Sequence, residues 1–159
     1  MDQLIKLLRQ NARMTNEELA VMLDISADEV GKKIAQLEKD GILKGYSAII
    51  DESKYDPNSV FALIELNVTP QSQSGYEEIA RQIASYEEVA SVRLMSGTYD
   101  ILVEVIGANI RDVSLFVSQR LATIDAVQST ATHFVLKAYK DNGIIIDGEE
   151  KDERSWVCP

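Results

Sequence analysis

Thr15-Asn-Glu-Glu-Leu-Ala-Val-Met-Leu-Asp-Ile-Ser-Ala-Asp-Glu-Val30 carries the same helix-start signal twice in quick succession. Thr15 precedes Glu18 by three positions, ahead of Leu19, Ala20 and Leu23; Ser26 precedes Glu29 by the same spacing, ahead of Val30, Ile34 and Leu37. In each pair the hydroxyl and the carboxylate satisfy backbone donors that the first helical turn leaves free. Only Asp24 and Ile25 remain between the two helices, so a tight turn joins them. Upstream, Leu4, Ile5, Leu7 and Leu8 at helical spacing mark an earlier helix over residues 2–10, stopped at Asn11. Downstream, Gly41 ends the third helix, and Tyr46-Ser-Ala-Ile-Ile50 reads as a strand. Three helices with a short second turn, then a strand, are expected to form a winged helix-turn-helix over residues 1–45. Its third helix would enter the major groove of DNA.

Residues 46–59 form a linking strand and hinge, with Pro57 and Asn58 in a polar, turn-rich stretch. Beyond it the apolar period changes from about 3.6 to 2. Val60, Ala62, Ile64, Leu66 and Val68 alternate along a strand, and Tyr76, Ile79, Ala80 and Ile83 mark one face of a helix. Val89–Met95 and Ile101–Ile106 read as strands, Ile110–Leu121 as a helix, and Val127–Tyr139 as a long last strand. The order β-α-β-β-α-β over residues 60–140 is the ferredoxin-like arrangement, so the fold class is α+β. Helices cover only one face of such a sheet. The other face, with Phe61 and Leu63, calls for a cover, and a second copy of the sheet is the simplest one. Residues 141–159 read as an acidic C-terminal tail.

The 159 residues, 45% hydrophobic and 26% charged, have the balance of a soluble globular protein. No apolar run approaches the roughly 20 residues that cross a bilayer, so no membrane association is expected. Met1 leads straight into amphipathic sequence with no secretion-signal pattern, and Cys158 is the single cysteine; both fit a cytoplasmic location. The formal charge of −10 opposes nucleic-acid binding as a sum, since Lys and Arg supply most nonspecific affinity for phosphate. Its distribution removes the objection. Residues 1–50 are near neutral, with seven basic residues against eight acidic ones, and the excess acid lies later in the chain.

On the third helix Asp28, Glu29, Lys32, Lys33 and Gln36 point away from Val30, Ile34 and Leu37. Lys32 and Lys33 suit phosphate contacts, and Gln36 suits a base edge. Asp28 and Glu29 are unfavourable beside phosphates but stabilise the helix N-terminus. Gly31 costs a helix about 1 kcal/mol relative to Ala, which suggests close approach to something or a tolerated weakness. In Ser96-Gly-Thr-Tyr-Asp100, Gly97 permits close backbone approach or positive φ. Asp100 suits either an ammonium group or its own loop, and a purely structural turn accounts for the same residues.

Four motifs together resemble the leucine-responsive/asparagine regulator (Lrp/AsnC) family: Asn16-Glu-Glu-Leu-Ala20, Gln36-Leu-Glu-Lys-Asp-Gly-Ile-Leu-Lys-Gly-Tyr46, Ser96-Gly-Thr-Tyr-Asp100 and Thr130-Ala-Thr-His-Phe-Val-Leu136. The resemblance implies a DNA-binding transcriptional regulator without a cofactor. It also implies a ferredoxin-like module that pairs sheet to sheet as a homodimer and assembles further into tetramers or octamers. It places a small effector, commonly an amino acid, between dimers near the Gly-x-Tyr-Asp turn, with Met95, Gly97, Tyr99, Asp100 and Thr132 as the residues to line it. The third helix departs from the family pattern in lacking its run of arginines.

Two other readings compete. Some siroheme decarboxylases resemble the same two-module architecture, and His133 is the one imidazole available as general acid or haem ligand. No Ser-His-Asp set, metal cluster or phosphate loop accompanies it, so no catalysis is expected. The alternative is an amino-acid sensor that acts on a protein partner.

Overall fold

The computed structural model describes residues 3–69 and 75–146. The chain divides into two compact units, one reaching Ile49 and including Lys140–Ile145, the other comprising Ile50–Tyr139 with Ile146.

The first unit holds helices α1 (Gln3–Gln10), α2 (Asn16–Leu23) and α3 (Ala27–Lys39). Both capping boxes form. The Thr15 hydroxyl accepts the Glu18 amide at 3.2 Å while the Glu18 carboxylate accepts the Thr15 amide at 2.8 Å. Ser26 and Glu29 repeat the exchange at 3.2 and 3.0 Å. Between them Asp24 adopts a left-handed φ of 54°, which lets the Ile25 amide reach back to the Ala20 carbonyl at 3.2 Å. At the end of α3, Gly41 at φ 67° turns the chain so that the amides of Ile42 and Gly41 each donate, at 3.0 Å, to the carbonyls of Leu37 and Glu38. Two otherwise orphaned helix-end acceptors are thereby satisfied. Leu4, Leu7, Leu8, Leu19, Ala20 and Val30 are buried together and tie the three helices. The glycine inside α3 sits close to α2: a Cβ on Gly31 would lie 3.3 Å from Asn16 Nδ2, the end of an exposed side chain at the start of α2.

Tyr46–Ile50 does not form the expected strand; residues 44–50 are without regular structure. A strand needs a partner for its backbone ladder, and among the described residues none pairs with this one. Tyr46 is held instead by its hydroxyl, which donates to Glu38 Oε1 at 3.0 Å.

In the second unit a single helical turn, α4 (Glu52–Tyr55), occupies the segment expected to be a loop. Strands β1 (Val60–Val68), β2 (Val89–Leu94), β3 (Ile101–Gly107) and β4 (Val127–Phe134) form an antiparallel sheet in the order β2-β3-β1-β4, with α5 (Gly75–Ala84) and α6 (Ile110–Phe116) as connections. This is the ferredoxin-like order. The helix-facing residues of the central strands, Ala62, Ile64, Leu66 and Val68 with Ile101, Val103 and Val105, are buried against Ile79, Ile83, Val113 and Phe116. Their neighbours Phe61, Leu63, Leu102 and Ile106 lie on the opposite face. There Glu65 approaches His133 Nε2 at 3.5 Å, Arg93 pairs with Glu104, and Asn67 donates to Ser129 Oγ at 3.0 Å.

The last strand stops at Phe134 rather than running to Tyr139. Its partner β1 begins at Val60, and the Val135 amide, donating to the Phe61 carbonyl at 2.8 Å, makes the last bond that β1 can accept. Where the sequence reading starts the acidic tail, β5 (Lys140–Asp141) and β6 (Ile144–Ile145) form a hairpin about Asn142 and Gly143, at φ 42° and 93°. Residues 147–159, the rest of that tail, lie outside the described residues.

Gly107 is where α6 meets the end of β3: a Cβ there would lie 2.6 Å from Val113 Cγ2, which is buried. Overpacking of this kind costs about 1–3 kcal/mol. Gly107→Ala is expected to lower the urea midpoint of the second unit accordingly, monitored by Tyr86 and Phe116 side-chain signals, while the α2–α3 amides keep their protection.

Candidate DNA-reading helix and effector loop

Lys32, Lys33 and Gln36 are all exposed on α3, away from buried Val30. Two of the three already have neighbours one helical turn away. Lys32 Nζ lies 2.6 Å from Asp28 Oδ2, and Gln36 Nε2 donates to Asp40 Oδ1 at 2.6 Å. Both interactions are at the i,i+4 spacing and legible from sequence. The Lys32–Asp28 pair is 75% exposed on each side, so it is worth only a few tenths of a kcal/mol and is readily exchanged for a phosphate contact. Lys33 makes no ion pair among the described residues. Glu29 is already committed: hydrogen bonds from the Ser26 backbone and side chain, with smaller contributions from Lys33 and Lys32, hold its carboxyl below the usual carboxylate range. The two acids in the first turn of α3 therefore serve as cap and counter-ion.

Met95–Asp100 connects β2 to β3. Asp100 closes this loop onto β1 from both sides of its Cα: its amide donates to the Leu66 carbonyl at 2.9 Å, and its Oδ2 accepts the Val68 amide at 2.9 Å. The Met95 amide donates to the Asp100 carbonyl at 2.7 Å, completing the turn. Of the two roles open to Asp100 in sequence, one carboxylate oxygen takes that of loop anchor. Gly97 corrects its expectation in part, because its φ is not positive. A Cβ there would meet nothing within 4 Å, so the fold itself makes no demand for glycine. Met95 and Gly97 are exposed, and Tyr99 and Asp100 are half-buried.

Thr132 is not gathered with this loop. It pairs with Ile64 on β4, and β1 separates β4 from β3, which puts about two strand spacings, ~10 Å, between them. The β4 residue level with the loop is Thr130, opposite Leu66. His133 is on the uncovered face, 57% exposed beside Glu65, and the described residues contain no group of three His, Cys, Asp or Glu side chains suited to a metal.

Residues 61–145 match the family description "Lrp/AsnC ligand binding domain", and residues 3–44 match "Winged helix-turn-helix DNA-binding". The chain belongs to the Lrp/AsnC family. It is 41% identical over 158 residues to the HTH-type transcriptional regulator YugG of Bacillus subtilis, covering 99% of this chain and 95% of that one. It is 27% identical to the leucine-responsive regulatory protein of Rhizobium meliloti, over 87% of this chain and 88% of that one. Among solved structures, the complex of a Neisseria meningitidis transcriptional regulator with L-methionine superposes with a TM-score of 0.72 at 25% identity, covering 91% and 96% of the two chains. E. coli AsnC shares the fold with a TM-score of 0.65 at 23% identity, covering 87% and 93%. This member of the family is thus a transcriptional regulator with a DNA-binding unit and a ligand-binding unit.

The lowered pKa of Glu29 sets a sign. Its contribution to the α3 cap is present above the unfolded carboxylate pKa and is lost as pH falls through the folded value. The protection factor at the first amides of α3, the exchange rate taken relative to the intrinsic rate at each pH, is expected to fall on acidification across that range, and Glu29→Gln is expected to remove this pH dependence. The same result in both proteins would detach the cap from Glu29.

Proposed function

We propose that this regulator binds DNA through Lys32 and Lys33 on phosphates and Gln36 on a base edge, and senses an amino acid or a close relative through Met95–Asp100. The observation that carries the reading is the loop: Asp100 is pinned to β1 through Oδ2, which leaves Oδ1 to receive an ammonium group, and the open space at Gly97 admits a ligand to the backbone. Met95 and Tyr99 supply apolar surface beside it. Thr132 belongs to the site only if a neighbouring subunit contributes it, since it is remote from the loop of its own chain. A homodimer formed by the uncovered sheet face, through Phe61, Leu63, Leu102 and Ile106, is the minimum unit, with tetramers or octamers built from it. An effector that touches two dimers favours assembly by the difference in its affinity for assembled and separate forms. The reading includes no catalysis and no cofactor, with His133 serving as the partner of Glu65, and a cytoplasmic location.

Methionine heads the ligand panel because the Neisseria relative is a complex with it. Calorimetry on the full chain should show binding of at least one common amino acid, and Asp100→Asn should abolish it. That substitution keeps an acceptor for the Val68 amide while removing the charge, so the loop survives as the site fails. Equal binding by the variant would place the effector elsewhere.

For DNA, a selection of bound fragments with and without the effector identifies the operator. Lys32→Ala/Lys33→Ala should then weaken binding to all sequences and reduce the salt slope by about 1 per lost contact, whereas Gln36→Ala should alter sequence preference. Asp28→Ala should strengthen binding, because it frees Lys32 and removes a charge facing phosphate. An unchanged salt slope in the double lysine variant would remove these residues from the interface.

A further inference from the structure

The second unit has a concavity of about 270 Å³ at the far end of β3 from the effector loop, between Gly107 and the helix that follows. Its wall is formed by an irregularity. After α6 the helix widens into a π-helical turn, Val117–Leu121, closed by the Ala122 amide donating to the Val117 carbonyl at 2.8 Å. Such turns are short and rare, and they concentrate at functional sites. Here the turn keeps Val117 and Leu121 buried while Gln119 and Arg120 both line the concavity.

The Arg120 guanidinium is placed but not neutralised. It lies 5.5 Å from the centroid of the Tyr86 ring, which packs edge-on against Phe116 at 5.7 Å, and it makes no ion pair among the described residues. Held over a ring, it retains its donors for a carboxylate. Phe116 and Leu115 give the concavity apolar surface, and Glu88 and Asp112 add carboxylates to its rim. The Glu88 backbone is fixed by the Ile106 amide, and Asp112 by Asn109 Nδ2 at 2.8 Å.

We propose that this concavity is a second ligand site, separate from the Met95–Asp100 loop, for an apolar amino acid: carboxylate on Arg120 and Gln119, side chain on Phe116 and Leu115, ammonium toward Glu88 or Asp112. The volume of about 270 Å³ accommodates a ligand of amino-acid size. Charge decides against a simple fatty acid or amine, since the rim carries both signs. The proposal stands independently of the effector loop and of DNA binding.

The test is an NMR titration of the full chain with L-leucine, reading the Leu115 methyls and the Gln119 side-chain amide for this site and the Gly97 amide for the loop. The Leu115 and Gln119 signals are expected to shift saturably, and Arg120→Met to weaken that response by roughly tenfold or more, as expected for a lost charge-assisted hydrogen bond. Arg120→Lys is expected to recover part of it. Thermal melting of each variant confirms folding. Isocaproate, without the ammonium, and isoamylamine, without the carboxylate, should each bind more weakly than leucine. Silent Leu115 and Gln119 signals at millimolar leucine, an equal response in Arg120→Met, or isocaproate binding as tightly as leucine would each overturn the assignment. A Gly97 response that Arg120→Met leaves intact supports two separate sites; loss of both signals in a folded Arg120→Met protein would overturn their separation.

Discussion

The central strand β1 is the reference to which the ligand-binding unit is built. It is paired on both sides, to β3 and to β4, and every second residue from Ala62 to Val68 is buried under the helices. A slip of one residue in either pairing would carry Ile64 and Leu66 to the open face and bring Leu63 and Glu65 beneath α5 and α6, so burial sets the register. The Met95–Asp100 loop inherits this precision. Asp100 binds the backbone of β1 at Leu66 and Val68, so the loop is held by the most constrained strand in the unit.

In the DNA-binding unit the equivalent constraint is the turn between α2 and α3. The two capping boxes satisfy helix-start donors on either side of a left-handed Asp24, and Leu19, Ala20 and Val30 close the angle from within. The acidic residues that look adverse on a reading helix are accounted for by this geometry: Glu29 is the cap, and Asp28 is the exposed counter-ion of Lys32. A cap acid contributes to stability at a position where it cannot be exchanged, whereas a surface counter-ion can be displaced by phosphate.

The sheet presents two chemically different faces. Under the helices the central strands are aliphatic, with Phe134, Thr132 and Thr130 of β4 beside them, while the uncovered face mixes Phe61, Leu63, Leu102 and Ile106 with the Glu65–His133 and Arg93–Glu104 pairs. Apolar surface drives association and paired charges specify its geometry, a combination suited to contact with another protein surface. His133, read from sequence as the one candidate for acid–base or haem chemistry, stands in that mixed face beside a carboxylate.

Local signals were legible wherever a residue acts through the backbone within a few positions of itself. Both capping boxes, the Gly41 stop, the two-residue turn and the alternation of β1 depend only on spacing, and they determined the helix-turn-helix, the ferredoxin-like order and the family motifs. The Asn142-Gly143 hairpin had an equally local signal, masked by the acidic composition around it. What tertiary structure decided is everything that needs a partner distant in sequence. Tyr46–Ile50 has strand character but no ladder to join, and β4 ends where β1 has no further acceptor to offer. Asp100 finds the amide of Val68, 32 residues away. Thr132 belongs to a strand that β1 separates from the loop, and Arg120, in the π-helical turn after α6, meets the Tyr86 ring of a different element. Spacing along the chain encodes hydrogen bonds within a turn; pairing between strands and packing between layers depend on which backbone groups and surfaces the completed fold leaves within reach.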